Sequence, residues 1–239
     1  MGGDKAGDCG GRRAAIGKFV TARNLLLINP NSSTATTRMM VAIAQTVAGD
    51  GLNVTGATAT RAPPMIVLPA ALAAAAAEVV EIALANQAGC DGMIVAAFGD
   101  PGLAGIRANT TTPAIGIAEA AMLEAANGGR RFGVATTTAA LTAQIAARVH
   151  DLGLTAQYSG IRVTDGDPGL LTADPERLHA ALAQAVQTSI SRDGAEIVII
   201  GGGPLAQAAT VLQPMFSIPI VAPIPAAVRR LIRMIGSGA

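Results

Sequence analysis

Short, continuous runs of apolar residues alternate with longer stretches of helical period along this chain. Glycine, proline or polar turn residues bound each run, which is typical of parallel strands buried on both faces. The alternation of such runs with helical stretches predicts an α/β fold with open parallel sheets flanked by helices. The runs lie at residues 24–29, 93–98, 113–117, 132–136, 196–201 and 218–223, and the helical stretches at 36–49, 70–89, 138–153 and 174–194.

Two pairs of segments repeat the same order of features. Residues 89–122 match 194–228, because each reads glycine, acid, strand, Gly-Pro loop, helix and a proline-led strand before an alanine-rich helix. Residues 23–37 match 130–144, where a basic residue, a strand and a hydroxyl-rich turn lead into a helix. Agreement in order and spacing is the signature of an internal repeat. The sequence therefore predicts two pseudo-symmetric α/β subdomains with the active site in the cleft between them.

The repeat also sets the expected domain boundaries. Residues 23–120 with 219–239 are predicted to form the first subdomain, and residues 121–218 the second. Residues 1–22 contain glycines and charges of both signs without the apolar segment of a signal peptide, so we expect a disordered tail.

The composition of the chain gives no indication of nucleic acid or membrane as a binding partner. Seventeen Lys and Arg balance sixteen Asp and Glu, which leaves no electrostatic footprint for nucleic acid or an acidic membrane surface. The longest apolar run, residues 62–77, is interrupted by prolines and is shorter than a membrane span, so no membrane partner is expected. Two cysteines in 239 residues cannot make a disulfide framework, and a reducing cytoplasm is the expected location.

Four loops follow predicted strands, and ligands of open parallel sheets bind beyond the carboxyl ends of strands. NPNSS (29–33) and ATTT (135–138) are rich in amide and hydroxyl side chains and open helices, so they could hold an anion or enolate oxygens. The same residues could equally serve only as turn and N-cap residues. FGDPG (98–102) and GGGP (201–204) occupy matching places in the two repeats, which suits a reaction on two opposite faces of a substrate.

The sequence gives little support for a nucleotide cofactor, a metal site or a reactive thiol at Cys90. GGGP does not satisfy the dinucleotide fingerprint, so no nucleotide cofactor is expected. His150 and His179 sit in helical, partly charged segments without metal-ligand spacing, and no metal is expected. Cys90 precedes its strand, far from the loop, and is interpreted as a small packed thiol.

At these loops the chain resembles the aspartate/glutamate/hydantoin racemase superfamily, and within it the hydantoin and allantoin racemase branch. The motifs that carry the resemblance are LLINPNSS, FGDPGL, PAIGIAEAAM, RFGVATTT and GAEIVIIGGGPLA, and it extends over residues 24–233. The resemblance implies a cofactor-independent homo-oligomeric enzyme that acts next to a carbonyl of a small carboxylate or cyclic amide. In such racemases two cysteines on opposite faces remove and deliver the proton.

The resemblance places the first family cysteine on Ala97 and the second on Gly202, and neither residue can take or give a proton. The cradle for substrate oxygens falls on Asn31, Ser32, Thr136 and Thr137, and further substrate contacts are expected at Phe98, Gly99 and Gly203.

Three interpretations compete. In the first, Ala97 replaces a natural cysteine by engineering or drift, and the parent protein would resemble one-cysteine relatives such as an arylmalonate decarboxylase or a maleate isomerase with a covalent nucleophile. In the second, another group does the chemistry, with Asp100, Thr136 or Ser32 as the nearest candidates. In the third, the protein binds small carboxylates or cyclic imides without catalysis. The first, an isomerase of the racemase type in an inactive or substrate-trapping form, is the leading hypothesis, and ordinary two-base racemisation by the chain as written is not expected.

Overall fold

The computed structural model describes residues 23–236, which contain two four-stranded parallel sheets and nine α-helices. The predicted tail, residues 1–22, lies outside the described residues. The strands are β1 (Arg23–Asn29), β2 (Leu52–Thr58), β3 (Gly92–Val95), β4 (Ala114–Gly116), β5 (Phe132–Thr136), β6 (Tyr158–Val163), β7 (Ile197–Ile200) and β8 (Ile220–Val221). The helices are α1 (Thr34–Ala48), α2 (Pro69–Asn86), α3 (Leu103–Asn109), α4 (Ile117–Ala125), α5 (Thr142–Asp151), α6 (Pro168–Ala173), α7 (Pro175–Asp193), α8 (Ala208–Leu212) and α9 (Pro223–Gly236).

The two sheets have the same strand order. The first runs β2-β1-β3-β4 and the second β6-β5-β7-β8, with every neighbouring pair parallel. The predicted α/β fold of two related parallel halves is confirmed. Below, the first half means β1–β4 with α1–α3 and α9, and the second half means β5–β8 with α5–α8. Helix α4 lies between them, because it follows β4 and packs on α9 and on β7, β8 and α5.

The apolar runs did not predict two strands, β2 and β6. Each lies at one edge of its sheet and is only partly buried along its length. The opposite edge strands, β4 and β8, are fully buried and were predicted. Exposure to water, and not edge position by itself, therefore allows polar residues and glycine in β2 and β6, so that neither forms a continuous apolar run.

The return of the chain to the first half comes slightly later than predicted. Ile220 and Val221 pair with β7 in the second sheet, although the expected boundary assigns them to the first subdomain from residue 219 onward. α9 then packs on α1 and α4 and on strands β3 and β4 of the first half. The crossing therefore follows Val221, because β8 completes the second sheet before α9 leaves it.

Side-chain alternation along the central strands builds a core that is shared by the halves. In β1, Leu25 and Leu27 join the same buried cluster as Phe132 and Ile199 of the second sheet. Ile28, the next residue along β1, points to the opposite face and packs in a separate cluster with residues of α2 and α3. This period of two residues is that of a strand. The common core fixes one sheet against the other and so fixes the loops at their carboxyl ends.

Helix α2 is unusually apolar. Pro69–Gly89 is the one helical stretch among residues 23–236 that is long and apolar enough to cross a membrane by length and composition. It packs against α3 and β1, and its buried Glu78 accepts hydrogen bonds from Thr60 and Arg61. Leu72, Ala75, Val79 and Ala83 form its buried apolar face, whereas most of the stretch is not buried.

Candidate active site

A small cavity opens where the carboxyl-end loops of the two sheets meet. Its volume is about 60 Å³, well below that of sites for drug-sized ligands, so it suits a compact molecule. It is lined by Asn31, Met65, Ile66, Leu72, Ala96, Ala97, Phe98, Thr137, Thr138, Leu141, Thr172, Gly201, Gly202, Gly203, Pro204 and Leu205.

The loops after β3 and β7 touch each other at the base of this cavity. A Cβ on Gly203 would lie 2.8 Å from the Ala96 carbonyl oxygen, and one on Gly201 would lie 3.1 Å from the ring of Phe98. Glycine therefore permits the close approach of one half to the other at both places. Ala97 and Gly202 lie between these two contacts, and both line the cavity.

Gly202 differs from its two glycine neighbours. The three atoms nearest to a Cβ there all belong to the side chain of Leu205, the closest at 3.1 Å. The flexible end of a leucine can shift by a few tenths of an ångström, whereas the backbone at Ala96 cannot. Of the three glycines, Gly202 is thus the position that can carry a side chain on the cavity wall.

The loop after β1 presents an amide donor. Buried Asn29 donates from Nδ2 to Asn31 Oδ1 at 2.8 Å, and the N–H of Ser33 donates to the same oxygen at 2.9 Å. Both acceptor sites of Asn31 are therefore in use, while its Nδ2 donates to no group among the described residues. Because Asn31 lines the cavity, this NH₂ group is free to bind a ligand oxygen.

The three threonines after β5 divide into two roles. Thr136 is fully buried, and its hydroxyl donates to the Gly201 carbonyl at 2.7 Å, so it joins the two loops of the second half. Thr137 and Thr138 line the cavity instead. Thr138 was missed, although its place in the run TTT already marked it as a further hydroxyl beside the other two.

The nine predicted site residues are thus only partly brought together. Ser32 and Gly99 do not line the cavity, and the backbone N–H of Ser32 donates to the Pro63 carbonyl at 3.3 Å. The sequence motifs did not predict the apolar wall formed by Met65, Ile66 and Leu72, because none of these residues carries a reactive group. Asn31, Ala97, Phe98, Thr137, Gly202 and Gly203 line the cavity, whereas Ser32, Gly99 and Thr136 do not.

Comparison with known proteins identifies this arrangement of loops. A family model described as Asp/Glu/Hydantoin racemase matches residues 25–231. The chain belongs to the Asp/Glu/hydantoin racemase family. It is 30% identical over 220 residues to a hydantoin racemase of Rhizobium meliloti, which covers 89% of this chain and 88% of that protein.

Solved structures agree with this assignment. Allantoin racemase from Klebsiella pneumoniae superposes with a TM-score of 0.85 at 28% identity, over 90% of this chain and 89% of that one. Allantoin racemase from Pseudomonas fluorescens shares the fold with a TM-score of 0.86 at 24% identity, over 90% and 92% of the two chains. The protein is therefore a member of a superfamily of racemases and isomerases, and its two-sheet architecture is that of the family.

The described side chains of the cavity wall are all uncharged, which bears on the reaction that a member of this racemase family could carry out. None of the described residues that line it carries a charged or titratable side chain. Ala97 contributes a methyl group and Gly202 no side chain at all.

The alternative acid–base candidates are also placed outside the cavity wall. Asp100 is buried, and its carboxylate accepts the N–H groups of Ala118 and Glu119 at 2.9 and 2.8 Å. Burial raises the pKa of Asp100 to about 6, a shift that these hydrogen bonds and Arg148 only partly oppose. Neither Asp100 nor the hydroxyls of Ser32 and Thr136 line the cavity.

Proposed function

We propose that the protein is an inactive or substrate-trapping form of a cofactor-independent isomerase of the racemase type, whose cleft binds a small cyclic amide, such as a hydantoin, between positions 97 and 202. Its relatives carry the names hydantoin racemase and allantoin racemase, and both substrates contain a cyclic diamide ring. The ring C–H that can exchange is on the carbon next to a carbonyl, which is the position on which the family acts.

Unpartnered hydrogen-bond donors around the cavity carry this proposal. Within residues 23–236, the backbone N–H groups of Ala97, Phe98, Thr137, Gly202 and Gly203 have no protein acceptor, and all five residues line the cavity. Fixed N–H donors stabilise a carbonyl oxygen, and they stabilise it more strongly when negative charge develops on it as an enolate.

The absence of charge from the described cavity wall favours a neutral ligand. A carboxylate enclosed here would lose its hydration without meeting Lys, Arg or His, which is costly. A cyclic amide needs only neutral donors and acceptors, and Asn31 Nδ2 and the hydroxyl of Thr137 supply them. The apolar side chains of Met65, Ile66 and Leu72 offer a surface for the substituent on the ring.

Proton exchange requires groups that the described cavity wall lacks. A thiolate on one face of the ring would remove the proton, and a thiol on the other face would deliver one. With Ala97 and Gly202 in these places, the chain can hold the ring and stabilise its oxygens but cannot carry the proton. We therefore expect the unmodified protein to bind the substrate without racemising it.

The direct test is the variant Ala97→Cys/Gly202→Cys, followed by deuterium incorporation at the carbon alpha to the carbonyl in D₂O. We expect exchange of 5-substituted hydantoins to rise by about 10²-fold or more over the unmodified protein, since a positioned acid or base contributes this much. Acyclic 2-substituted carboxylic acids serve as the comparison and should not respond. A double variant as inert as the parent toward every hydantoin would refute the proposal.

A second candidate is a small-molecule binding protein that has no reaction of its own. The uncharged wall of the cavity favours it, because binding needs the donors and not the thiols. Calorimetry on the unmodified protein with a hydantoin separates the two: binding combined with an inert double variant would favour the binder. As in the resemblance, we expect a homo-oligomer, which light scattering can measure.

A further inference from the structure

A cluster of four charged residues lies directly behind the loop that carries Ala97. Asp100 and Glu119 are carboxylates with 1% and 9% of their side chains exposed, and Arg107 and Arg148 are the guanidinium groups that face them. None of the four lines the cavity, so they do not contact a ligand there.

The cluster ties the loop after β3 to the start of helix α4. Asp100 accepts the N–H groups of Ala118 and Glu119 at the start of that helix. Its own N–H donates to the Ala97 carbonyl at 3.0 Å, so the position of Asp100 sets the backbone turn at Ala97. Arg107 of α3 pairs with both oxygens of Glu119, at 2.9 and 3.0 Å.

Arg148 carries the connection across to the second half. It belongs to α5, which follows the first strand of the second sheet, and its Nε donates to Asp100 Oδ2 at 3.2 Å. Its Nη2 donates to Glu119 as well. One guanidinium on α5 thus binds both buried carboxylates, Asp100 in the loop after β3 and Glu119 on α4.

The arrangement is costly for a purely structural link. Asp100 has a φ of 51°, and it is the one residue other than glycine with positive φ in the described chain. A side chain in this left-handed region is strained, and such strain gathers at functional sites. Buried ion pairs, moreover, are often no more stabilising than apolar packing. The strained backbone of Asp100 and the buried ion pairs are therefore better explained by a role in positioning the loop than by a gain in stability.

We propose that Asp100, Glu119 and Arg148 form an interdomain clamp that sets the separation of positions 97 and 202 across the cleft. Arg148 pulls α5 toward the loop, Asp100 transmits this position to the Ala97 backbone, and the GGGP loop supplies the facing side. Asp100 and Arg148 are then positioning residues, because they act through Ala97 and not on a ligand. The clamp takes from the proposed function only the identity of the two facing positions.

The clamp can be tested without any substrate, by using metal binding to a pair of introduced thiols. In Ala97→Cys/Gly202→Cys, two converging thiols should bind Cd²⁺ together, because soft thiolates select soft metals, and ultraviolet thiolate–metal absorbance reports the binding. Each single variant measures binding to one thiol and to the cysteines already present. The excess affinity of the double variant therefore measures how well the two positions converge.

Arg148→Met in this double variant removes the cross-connection and keeps an apolar stem. We expect its Cd²⁺ affinity at the thiol pair to fall about tenfold, in the range by which positioning networks change coupling. Arg148→Lys keeps one charge that can reach a single carboxylate and should recover part of the loss. The matched control is Arg162→Met, because Arg162 pairs with Asp193 inside the second half, at 2.7 Å from Nε, and should leave the affinity unchanged.

Equal Cd²⁺ affinity in the double variant with and without Arg148→Lys, and with Arg148→Met if it folds, would overturn the clamp. An affinity that falls equally for Arg162→Met would also overturn it, since the effect would then be general loosening. These outcomes are separate from the proposed function. If Ala97→Cys/Gly202→Cys shows no isotope exchange but its Cd²⁺ affinity depends on Arg148, the proposed function alone is refuted. If it shows exchange but its Cd²⁺ affinity does not depend on Arg148, the clamp alone is refuted.

Discussion

At the scale of single residues, the cleft is shaped by where a side chain can be placed. Gly201 and Gly203 lie against the first half so closely that a Cβ would displace the Phe98 ring or approach the Ala96 backbone. Gly202 lies between them and faces the cavity. The sequence GGGP therefore encodes two contact points and one open position, which the letters alone do not distinguish.

Alanine substitution separates these glycines. Gly203→Ala should lower the free energy of unfolding by about 1–3 kcal/mol, because overpacking against a fixed backbone forces the loops apart. Gly202→Ala should change it by about 0.5 kcal/mol or less, since the three atoms nearest to the added Cβ all belong to the flexible side chain of Leu205. Urea denaturation of the two variants measures the difference. Equal losses at both positions would show that the loops are not packed as described.

Asp100 should give stability an unusual pH dependence. Its pKa is raised to about 6 by burial, so the folded protein holds a proton that the unfolded chain releases near pH 4. The resulting stabilisation is fully present below about pH 4 and is lost as the pH rises through 6, by up to about 3 kcal/mol. Denaturation at pH 4.5 and 7 should show this decrease in the parent and a much smaller one in Asp100→Asn.

Asp193 offers the contrast for that experiment. Its hydrogen bond with Arg162 lowers its pKa, so its contribution is present at neutral pH and is lost only as the pH falls below the ordinary range of an aspartate. Asp193→Asn should therefore leave the decrease between pH 4.5 and 7 in place. If Asp193→Asn abolishes that decrease and Asp100→Asn does not, the assignment to Asp100 is wrong.

At the scale of elements, one wall of the cavity depends on the connection from β2 to α2. Glu78 on α2 accepts the N–H groups of Thr60 and Arg61 at 2.7 and 3.0 Å. Desolvation opposes its ionisation, but these hydrogen bonds outweigh it and lower the pKa of Glu78 to about 2. The same connection carries Met65 and Ile66 to the cavity, so Glu78 anchors that wall.

Glu78→Gln should loosen the wall. A neutral amide holds the two N–H groups less well than a carboxylate, and the loss of unfolding free energy should be about 1–3 kcal/mol. The affinity for a hydantoin, measured by calorimetry, should fall as well. Glu81→Gln is the matched control on the same helix: its carboxylate is exposed and pairs only with Arg61, so it should cost less than about 0.5 kcal/mol.

The sequence was most informative where burial leaves a simple signature. β1, β7 and the buried edge strand β4 are apolar runs, whereas the partly exposed edge strands β2 and β6 are not and were not predicted. Loop motifs located Asn31 and Thr137, because amide and hydroxyl groups are visible as residue types. The hydrogen bond that turns Thr136 away from the cavity depends on a residue 65 positions distant, which no local pattern reveals.

At the scale of the whole molecule, two copies of one α/β unit face each other around a shared core. The matching loops after β3 and β7 come from opposite halves, and residues of both line one cavity. This geometry suits a reaction in which a proton is removed from one face of a carbon and another is delivered to the opposite face. The central claim is that positions 97 and 202 are those two sides.

The most direct measurement of this claim starts from each pure enantiomer of a 5-substituted hydantoin in D₂O. Single variants Ala97→Cys and Gly202→Cys place a thiol on one face only, and Ala97→Cys/Gly202→Cys places one on each. The account predicts that the double variant converts both enantiomers into deuterated racemate, while each single variant exchanges one enantiomer preferentially and the two prefer opposite ones. Single variants that prefer the same enantiomer would contradict it, because the two positions would then lie on one side of the ring.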